Sequence, residues 1–314
     1  MNKAVPVYLL SGFLGSGKTT LLKHILAYYA ASGMKAAVVM NEIGEVNVDG
    51  QEFGEHVPVA EMLSGCVCCS ISSDLPATII ELCRESNPDA VIIETTGAAN
   101  TEEVIHGVAE ASLQFGVELQ TVVTVVDAPL LLELSRTRGG NTLRLMEKQI
   151  RCADWLIVNK TEKLGAQETT RIRDILRGWN LDAPIEETVR CSVDLERLHP
   201  QNGRSHAERE ASASDIEQAD DRHDHDHVMV YTHYFEKDVD RKRFEQFIRE
   251  LPGEVYRAKG ILRFPDRNGP MLFQYAYREL EMIRTTVNPE SPNVAVFIGE
   301  RFSRENLISQ LKRL

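Results

Sequence analysis

The sequence predicts an α/β domain with a mostly parallel sheet flanked by helices, followed by a smaller α+β domain. Its 314 residues are enough for one large and one smaller domain. Nearly continuous Val, Ile and Leu runs in the first two thirds are typical of parallel strands covered on both faces. A polar segment almost without large apolar residues then separates these runs from a second group of strand-like and helix-like stretches.

We assign residues 1–190 to the first domain because apolar runs and amphipathic stretches alternate there. The predicted strands are VPVYLLS, KAAVVMN, DAVIIETT, LQTVVTVVDA and ADWLIVNK. Apolar residues recur every three or four positions in the predicted helices, which are LLKHILAYYAAS, LPATIIELCRES and ETTRIRDILRGW.

Residues 191–227 are predicted to be a flexible linker, because so polar a segment cannot bury enough surface to offset the entropy of ordering. Residues 228–314 are predicted to form the smaller α+β domain. Its predicted strands are VMVYTHYFE, EVYRAKGILRF, MLFQYAYRELEMIRTT and NVAVFIG, and its predicted helices are DRKRFEQFIREL and RENLISQLKRL.

The composition excludes several classes of partner. A formal net charge of −12 argues against broad nucleic-acid binding and against attachment to acidic lipid. No run approaches the roughly 20 apolar residues of a membrane span, and the first apolar run leads into glycines instead of a cleavage site. We therefore expect a cytoplasmic protein without a membrane partner, in which structural disulfides are disfavoured. Nothing in the pattern of surface residues indicates an oligomer interface, so the oligomeric state stays open.

A phosphate-binding loop follows the first predicted strand. The segment GFLGSGKT matches G-x-x-x-x-G-K-[ST] and precedes a helix, which predicts a P-loop NTPase. Lys18 would contact the β- and γ-phosphates, and the Thr19 hydroxyl would bind Mg²⁺. The predicted nucleotide-binding residues here are Gly12, Phe13, Leu14, Gly15, Ser16, Gly17, Lys18, Thr19 and Thr20.

A carboxylate ends the strand run VIIETTG. Glu94 has the position of the acidic residue that a triphosphate site requires, and the turn up to Gly97 could sense the γ-phosphate. The structural alternative is that Glu94 only precedes a helix N-terminus.

The run ADWLIV ends in Asn159, Lys160, Thr161 and Glu162, which resembles the guanine-reading N-K-x-D motif. A carboxylate accepts hydrogen bonds from guanine that adenine cannot donate, and Glu162 keeps this acceptor on a longer stem. The motif therefore favours GTP, with looser selection than an Asp would give. A solvated strand end and an ATP-dependent small-molecule kinase remain as alternatives.

Three cysteines cluster in LSGCVCCSI, and the options for them are a disulfide, a redox couple, a metal site or coincidence. A disulfide between the adjacent Cys68 and Cys69 would be strained, and the C-x-x-C redox spacing is absent. Three thiolates, from Cys66, Cys68 and Cys69, would leave a tetrahedral site open. Thiolates favour Zn²⁺ or Cu⁺, and Co²⁺ is also compatible.

Four motifs, taken in their order along the chain, resemble those of the CobW-type metallochaperone GTPases, which are relatives of the nickel-handling HypB and UreG proteins. These motifs are GFLGSGKTTLLKHIL, NEIGEVNVDG, GCVCC and ETTG. After the linker, YRAKGILRF and VAVFIGERF are similar to the CobW C-terminal domain. The resemblance covers nearly the whole chain, and its main departure is Glu162.

The resemblance implies roles for two further segments. NEIGEVNVDG would be a switch loop, in which Glu42, Glu45 and Asp49 could hold Mg²⁺, orient water or reach a second metal. The family motif G-C-x-C-C binds a transition metal, and Cys66, Cys68 and Cys69 match it. Water, Glu45 or a partner would supply the fourth ligand. We take Lys18, Glu42, Asp49 and Glu94 as candidate catalytic residues.

These expectations combine into a GTP-hydrolysing metallochaperone that uses Mg²⁺ and delivers Zn²⁺, or Co²⁺, to a client metalloprotein. A metal-responsive binding protein with little GTPase turnover is the alternative. The HDHDH tract at residues 223–227 is either a metal reservoir or part of a solvated linker.

Overall fold

The computed structural model describes residues 4–40, 57–61, 71–137, 140–198, 228–276, 278–285 and 292–314. The chain divides into two compact units. One comprises Val5–Val108 and Leu119–Gly203, and the other comprises Met1–Ala4, Ala109–Glu118 and Arg204–Leu314. The sequence-based domain ranges, which kept residues 1–190 together, stay a prediction.

The first unit contains a seven-stranded sheet in the order β3-β2-β4-β1-β5-β6-β7. Its pairings are parallel, as between β1 and β4, β2 and β4, or β5 and β6. This confirms the predicted P-loop NTPase-like α/β architecture. The strands are β1 (Val5–Ser11), β2 (Ala36–Met40), β3 (Val59–Glu61), β4 (Ala90–Glu94), β5 (Val117–Asp127), β6 (Trp155–Asn159) and β7 (Ile185–Glu187).

Helices cover this sheet. Every residue of β2, β4 and β6 is buried, which is the burial that their Val, Ile and Leu runs predict for strands covered on both faces. The helices are α1 (Lys18–Ala31), α2 (Ile71–Ser86), α3 (Thr101–Gln114), α4 (Ala128–Thr137), α5 (Gly140–Arg151) and α6 (Ala166–Trp179), with 3-10 turns at Thr161–Lys163 and Leu195–Leu198.

The start of the segment predicted to be a linker packs onto the first unit. Cys191 and Leu198 are buried, and both belong to the core cluster around α1. The Tyr29 hydroxyl of α1 donates to the Leu198 carbonyl at 2.6 Å. Residues 191–198 therefore belong structurally to the sheet domain, while residues 199–227 lie outside the described part of the chain.

The second unit contains a five-stranded antiparallel sheet in the order β11-β10-β9-β12-β8. Aromatic residues fill its core, where the ring centroids of Phe244 and Phe273 lie 4.8 Å apart. This confirms the smaller α+β domain. Its elements are β8 (Val228–Tyr234), α7 (Arg241–Arg249), β9 (Val255–Leu262), β10 (Met271–Ala276), β11 (Glu279–Arg284), β12 (Val294–Glu300) and α8 (Arg304–Leu311).

In the ranges that the structure describes, none of the helices has both the length and the apolar composition that crossing a membrane would require.

Candidate nucleotide site

The ends of five parallel strands meet at one edge of the seven-stranded sheet. Glu94, the last residue of β4, is in register with Leu10 of β1 and with Met40 of β2. Asp127 at the end of β5 is in register with Asn159 at the end of β6. Ligands of open α/β sheets bind outside the carboxyl ends of the strands, so this edge is the candidate site.

The loop between β1 and α1 depends on glycine for its shape. Gly12 has φ = +133°, and a Cβ atom there would lie 2.2 Å from the Val125 carbonyl oxygen of β5. Gly17 has φ = +116°, and a Cβ atom there would lie 2.5 Å from Nδ2 of Asn159. Both positions therefore require glycine for conformational and for steric reasons. The loop packs directly against β5 and β6.

Two side chains at the start of α1 converge on a cavity of about 270 Å³. The Lys18 ammonium donates to the carbonyls of Gly12 at 2.9 Å and Phe13 at 3.3 Å, which holds it against the loop. The Thr19 hydroxyl donates to Oε1 of Glu94 at 2.8 Å. The cavity is lined by Leu14, Gly15, Gly17, Lys18, Thr19, Thr20, Met40, Glu94, Thr95, Thr96 and Gly97.

The turn after β4 forms one wall of this cavity. The Thr95 amide and hydroxyl both donate to the Leu10 carbonyl at 3.1 Å, which ties the turn to β1. A Cβ atom on Gly97 would lie 2.3 Å from the Leu14 nitrogen, so the turn touches the loop backbone.

The predicted base-reading residues lie on the opposite side of the loop. The Asn159 side chain donates to the Ser16 carbonyl at 2.8 Å and accepts from the Cys191 amide at 3.1 Å. The Lys160 ammonium donates to the Gly15 carbonyl at 2.8 Å. Glu162 lies exposed in the 3-10 turn that follows, where its carboxylate can accept hydrogen bonds.

Asp127 is a site residue that the sequence analysis missed. Its Oδ2 lies 2.5 Å from the Lys160 ammonium, and its side chain is only 11% exposed. Its Oδ1 accepts from the Leu130 amide at 3.1 Å in the first turn of α4. The signal was present, because LQTVVTVVDA is an apolar run that ends in a carboxylate just as VIIETTG does.

Cys191 is a second residue that was missed. Its thiol donates to the Gly17 carbonyl at 3.4 Å, and its own carbonyl lies 3.1 Å from Nδ1 of His24. Its φ of +54° is uncommon for a residue other than glycine. Burial raises the pKa of the Cys191 thiol to about 12, although Lys160 acts in the opposite direction, so the thiol stays a neutral donor. No local sequence pattern marked this position.

Several predicted site residues lie outside the described ranges. They are the switch carboxylates Glu42, Glu45 and Asp49, the cysteines Cys66, Cys68 and Cys69, and the tract at residues 223–227. Their assignments stay predictions from the sequence.

A parallel sheet whose β1–α1 loop wraps Lys18 and Thr19 around a cavity defines a P-loop nucleotide-binding protein. Comparison with known proteins identifies the family within that class. Residues 6–187 match the family described as CobW/HypB/UreG, nucleotide-binding domain, and residues 229–314 match the cobalamin synthesis protein cobW C-terminal domain. The chain belongs to this family, which confirms the resemblance found in its motifs.

Curated relatives extend over most of the chain. The zinc chaperone YjiA of Escherichia coli (strain K12) is 29% identical over 315 residues, covering 96% of each chain. The zinc chaperone CobW of a Sinorhizobium species is 26% identical over 308 residues, covering 86% of this chain and 84% of the relative. The crystal structure of Zn(II)-bound YjiA GTPase from E. coli is 23% identical, covers 100% of this chain and 99% of that one, and superposes with a TM-score of 0.48.

Proposed function

We propose that this protein is a GTP-hydrolysing metallochaperone that binds Zn²⁺, or Co²⁺, at Cys66, Cys68 and Cys69 and delivers it to a client metalloprotein. The proposal rests chiefly on the edge of the seven-stranded sheet, where Lys18, Thr19 and Glu94 converge on one cavity. The names of the relatives, which are zinc chaperones, support the choice of metal.

The cavity offers positive charge and backbone amides to the phosphates of a nucleotide. The amides of the loop and the N-terminus of α1 favour negative charge, and Lys18 adds a full positive charge. The contact of Lys18 with the Gly12 carbonyl and that of Asn159 with the Ser16 carbonyl hold the Lys18 side chain and the loop backbone in place. Little reorganisation is therefore needed when phosphate binds.

The oxygen donors at the cavity suit Mg²⁺. The Thr19 hydroxyl and the Glu94 carboxylate lie 2.8 Å apart, and both are hard ligands of the kind that Mg²⁺ prefers. When bound, Mg²⁺ would neutralise charge on the β- and γ-phosphates. Glu94 would also orient water for the reaction that converts GTP and water into GDP and phosphate.

Guanine selection would depend on the Asn159–Glu162 segment. Lys160 is held between the Gly15 carbonyl and Asp127, so its aliphatic stem can cover one face of the base. The exposed Glu162 carboxylate can accept from the N1 and amino groups of guanine.

The order of the chain supports coupling between nucleotide and metal. The segment with the switch carboxylates directly follows Met40, which lines the cavity. The segment with the cysteines directly follows β3, whose last residue Glu61 is in register with Met40. Both segments therefore leave the sheet at the edge where the phosphates would bind. GTP bound there would change the metal affinity, and hydrolysis would release the metal to the client.

The coupling is measurable from either ligand. If GTP tightens metal binding, metal must tighten GTP binding by the same factor. We would titrate Zn²⁺ and Co²⁺ into the protein alone, with GDP and with a non-hydrolysable GTP analogue, and we expect the highest affinity with the analogue. Equal affinities under all three conditions would contradict the proposal.

Two variants separate the chaperone from a metal-responsive binding protein. Lys18→Ala removes the phosphate-binding charge, and we expect it to abolish both GTP hydrolysis and metal transfer to a client. Lys242→Ala, an exposed position on α7, is the matched control and should behave as wild type. Metal transfer that survives Lys18→Ala would favour the binding protein with little GTPase turnover.

A further inference from the structure

Gln149 on α5 is a buried polar residue that reaches the cavity wall from the protein interior. The residue is 1% exposed. The amide nitrogen donates to the Gly97 carbonyl at 3.1 Å and to the Ala99 carbonyl at 3.4 Å. Because both partners are carbonyl oxygens, only the nitrogen of the amide can face them, which fixes the orientation of the group.

The rest of Gln149 is held independently of the turn. The Thr124 hydroxyl of β5 donates to the main-chain carbonyl of Gln149 at 3.0 Å. The side-chain oxygen Oε1 is buried and has no hydrogen-bond partner among the residues that the structure describes. Buried polar atoms of this kind are rare and disfavour the folded state. A role in the site would explain why a glutamine occupies this position.

The geometry of the turn shows what this contact controls. In a planar trans peptide, a carbonyl and the following amide point in opposite directions. Since the Gly97 carbonyl points at Gln149, the amide of Ala98 points away from the interior, on the side where Ala98 is exposed. Gly97 itself lines the cavity with Lys18 and Thr19 and abuts Leu14 of the loop. Gln149 thus fixes how the turn presents its backbone to a phosphate group.

We propose that Gln149 is a positioning residue for the terminal phosphate: it holds the Thr95–Ala99 turn so that the site distinguishes a nucleoside triphosphate from a diphosphate. This proposal rests on the proposed function, because it assumes that the cavity binds a guanine nucleotide. A diphosphate lacks the terminal phosphate, so we expect its binding to be independent of Gln149.

The test compares two substitutions of similar size. Gln149→Met removes both donors, and Gln149→Glu keeps the length of the side chain but places a carboxylate against two carbonyls. Gln167→Met on α6 is the control, because Gln167 is exposed. Affinities for Mg²⁺ with GDP and with a non-hydrolysable GTP analogue would be measured by calorimetry, together with kcat and KM for GTP and stability to urea.

We expect the affinity for the GTP analogue to fall about tenfold in both Gln149 variants, the effect of losing one hydrogen bond between the turn backbone and the terminal phosphate, while the affinity for GDP stays that of wild type. We also expect kcat to fall more than KM rises. Equal losses of affinity for both nucleotides, or no loss of affinity in a folded variant, would overturn this proposal. Neither result would contradict the proposed GTPase function. Wild-type protein that bound neither nucleotide would overturn both. If Gln149→Met did not fold, Gln149→Glu would still provide the comparison.

Discussion

The Asp127 carboxylate makes two contacts whose roles can be separated. One oxygen pairs with the Lys160 ammonium, whose other partner is the Gly15 carbonyl of the phosphate-binding loop. The other oxygen accepts from the Leu130 amide and so caps the N-terminus of α4. A single residue thus holds the Lys160 side chain and caps a helix.

Substitutions of Asp127 should therefore separate an effect on nucleotide affinity from an effect on stability. In Asp127→Asn, the amide oxygen can still cap α4, but the charge that holds Lys160 is lost. We expect GDP affinity to fall by roughly tenfold with little change in the free energy of unfolding, because Asn caps about as well as Asp. Asp127→Ala should lose the same affinity and a further ~1 kcal/mol of stability.

Calorimetry with GDP and urea denaturation would measure the two effects. Wild-type affinity in Asp127→Asn would show that Lys160 does not need this partner, and equal stability of the two variants would show that the cap contributes nothing.

At the scale of single elements, β8 contains a titratable group in an apolar setting. Burial, with Lys312 as a second cause, lowers the pKa of the His233 imidazole to about 4. Nδ1 of His233 lies 3.0 Å from the Tyr231 hydroxyl, and the ring packs edge-on against Phe235 with centroids 4.6 Å apart. The folded state therefore favours neutral His233.

The sign of the pH effect follows from this lowered pKa. Above the unfolded pKa of about 6.5 His233 contributes its full stabilisation, which is lost as the pH falls through the folded pKa of about 4. Between pH 7 and pH 4, we expect the free energy of unfolding to fall less in His233→Gln than in the wild type, by a difference of no more than about 3 kcal/mol. Urea denaturation of both proteins at pH 7, 5.5 and 4.5 would measure it, and parallel pH profiles would rule the prediction out.

The same scale shows which elements a sequence can predict. The long Val, Ile and Leu runs identified β1, β2, β4, β5 and β6, because a strand covered on both faces needs apolar residues at every position. The strands β3 and β7 have only three residues each and carry no such run. The stretch MLFQYAYRELEMIRTT reads as one strand but forms a hairpin of β10 and β11, with Arg278 at φ = +65° after β10. A positive φ at arginine has no signal in the sequence.

At the scale of the whole molecule, three of the six cysteines lie in the part of the chain that the structure describes. Cys83, Cys152 and Cys191 are buried free thiols. Burial raises the pKa of Cys83 to about 11 and that of Cys191 to about 12, and it raises the pKa of Cys152 further. Since the thiolate is the reactive form, these three should be inert at pH 8.

We therefore expect at most three fast-reacting thiols in the native protein and six after denaturation, counted with a chromogenic disulfide reagent at pH 8. A variant in which Cys66, Cys68 and Cys69 are all serine should show none before denaturation. A fast-reacting thiol in that variant would contradict the burial of the other three.

The sequence by itself determined the class of fold, the family and the motifs at Gly12–Thr19, Glu94–Gly97 and Asn159–Glu162. It could do so because each motif is a continuous stretch whose chemistry is local. Only the tertiary structure brings Asp127, Gln149 and Cys191 to the segments around the same cavity. They reach it through contacts such as those of Gln149 with Gly97 and Ala99, about fifty residues away along the chain. The adjacency arises from the register of the parallel strands and the packing of α5, and neither leaves a pattern in neighbouring residues.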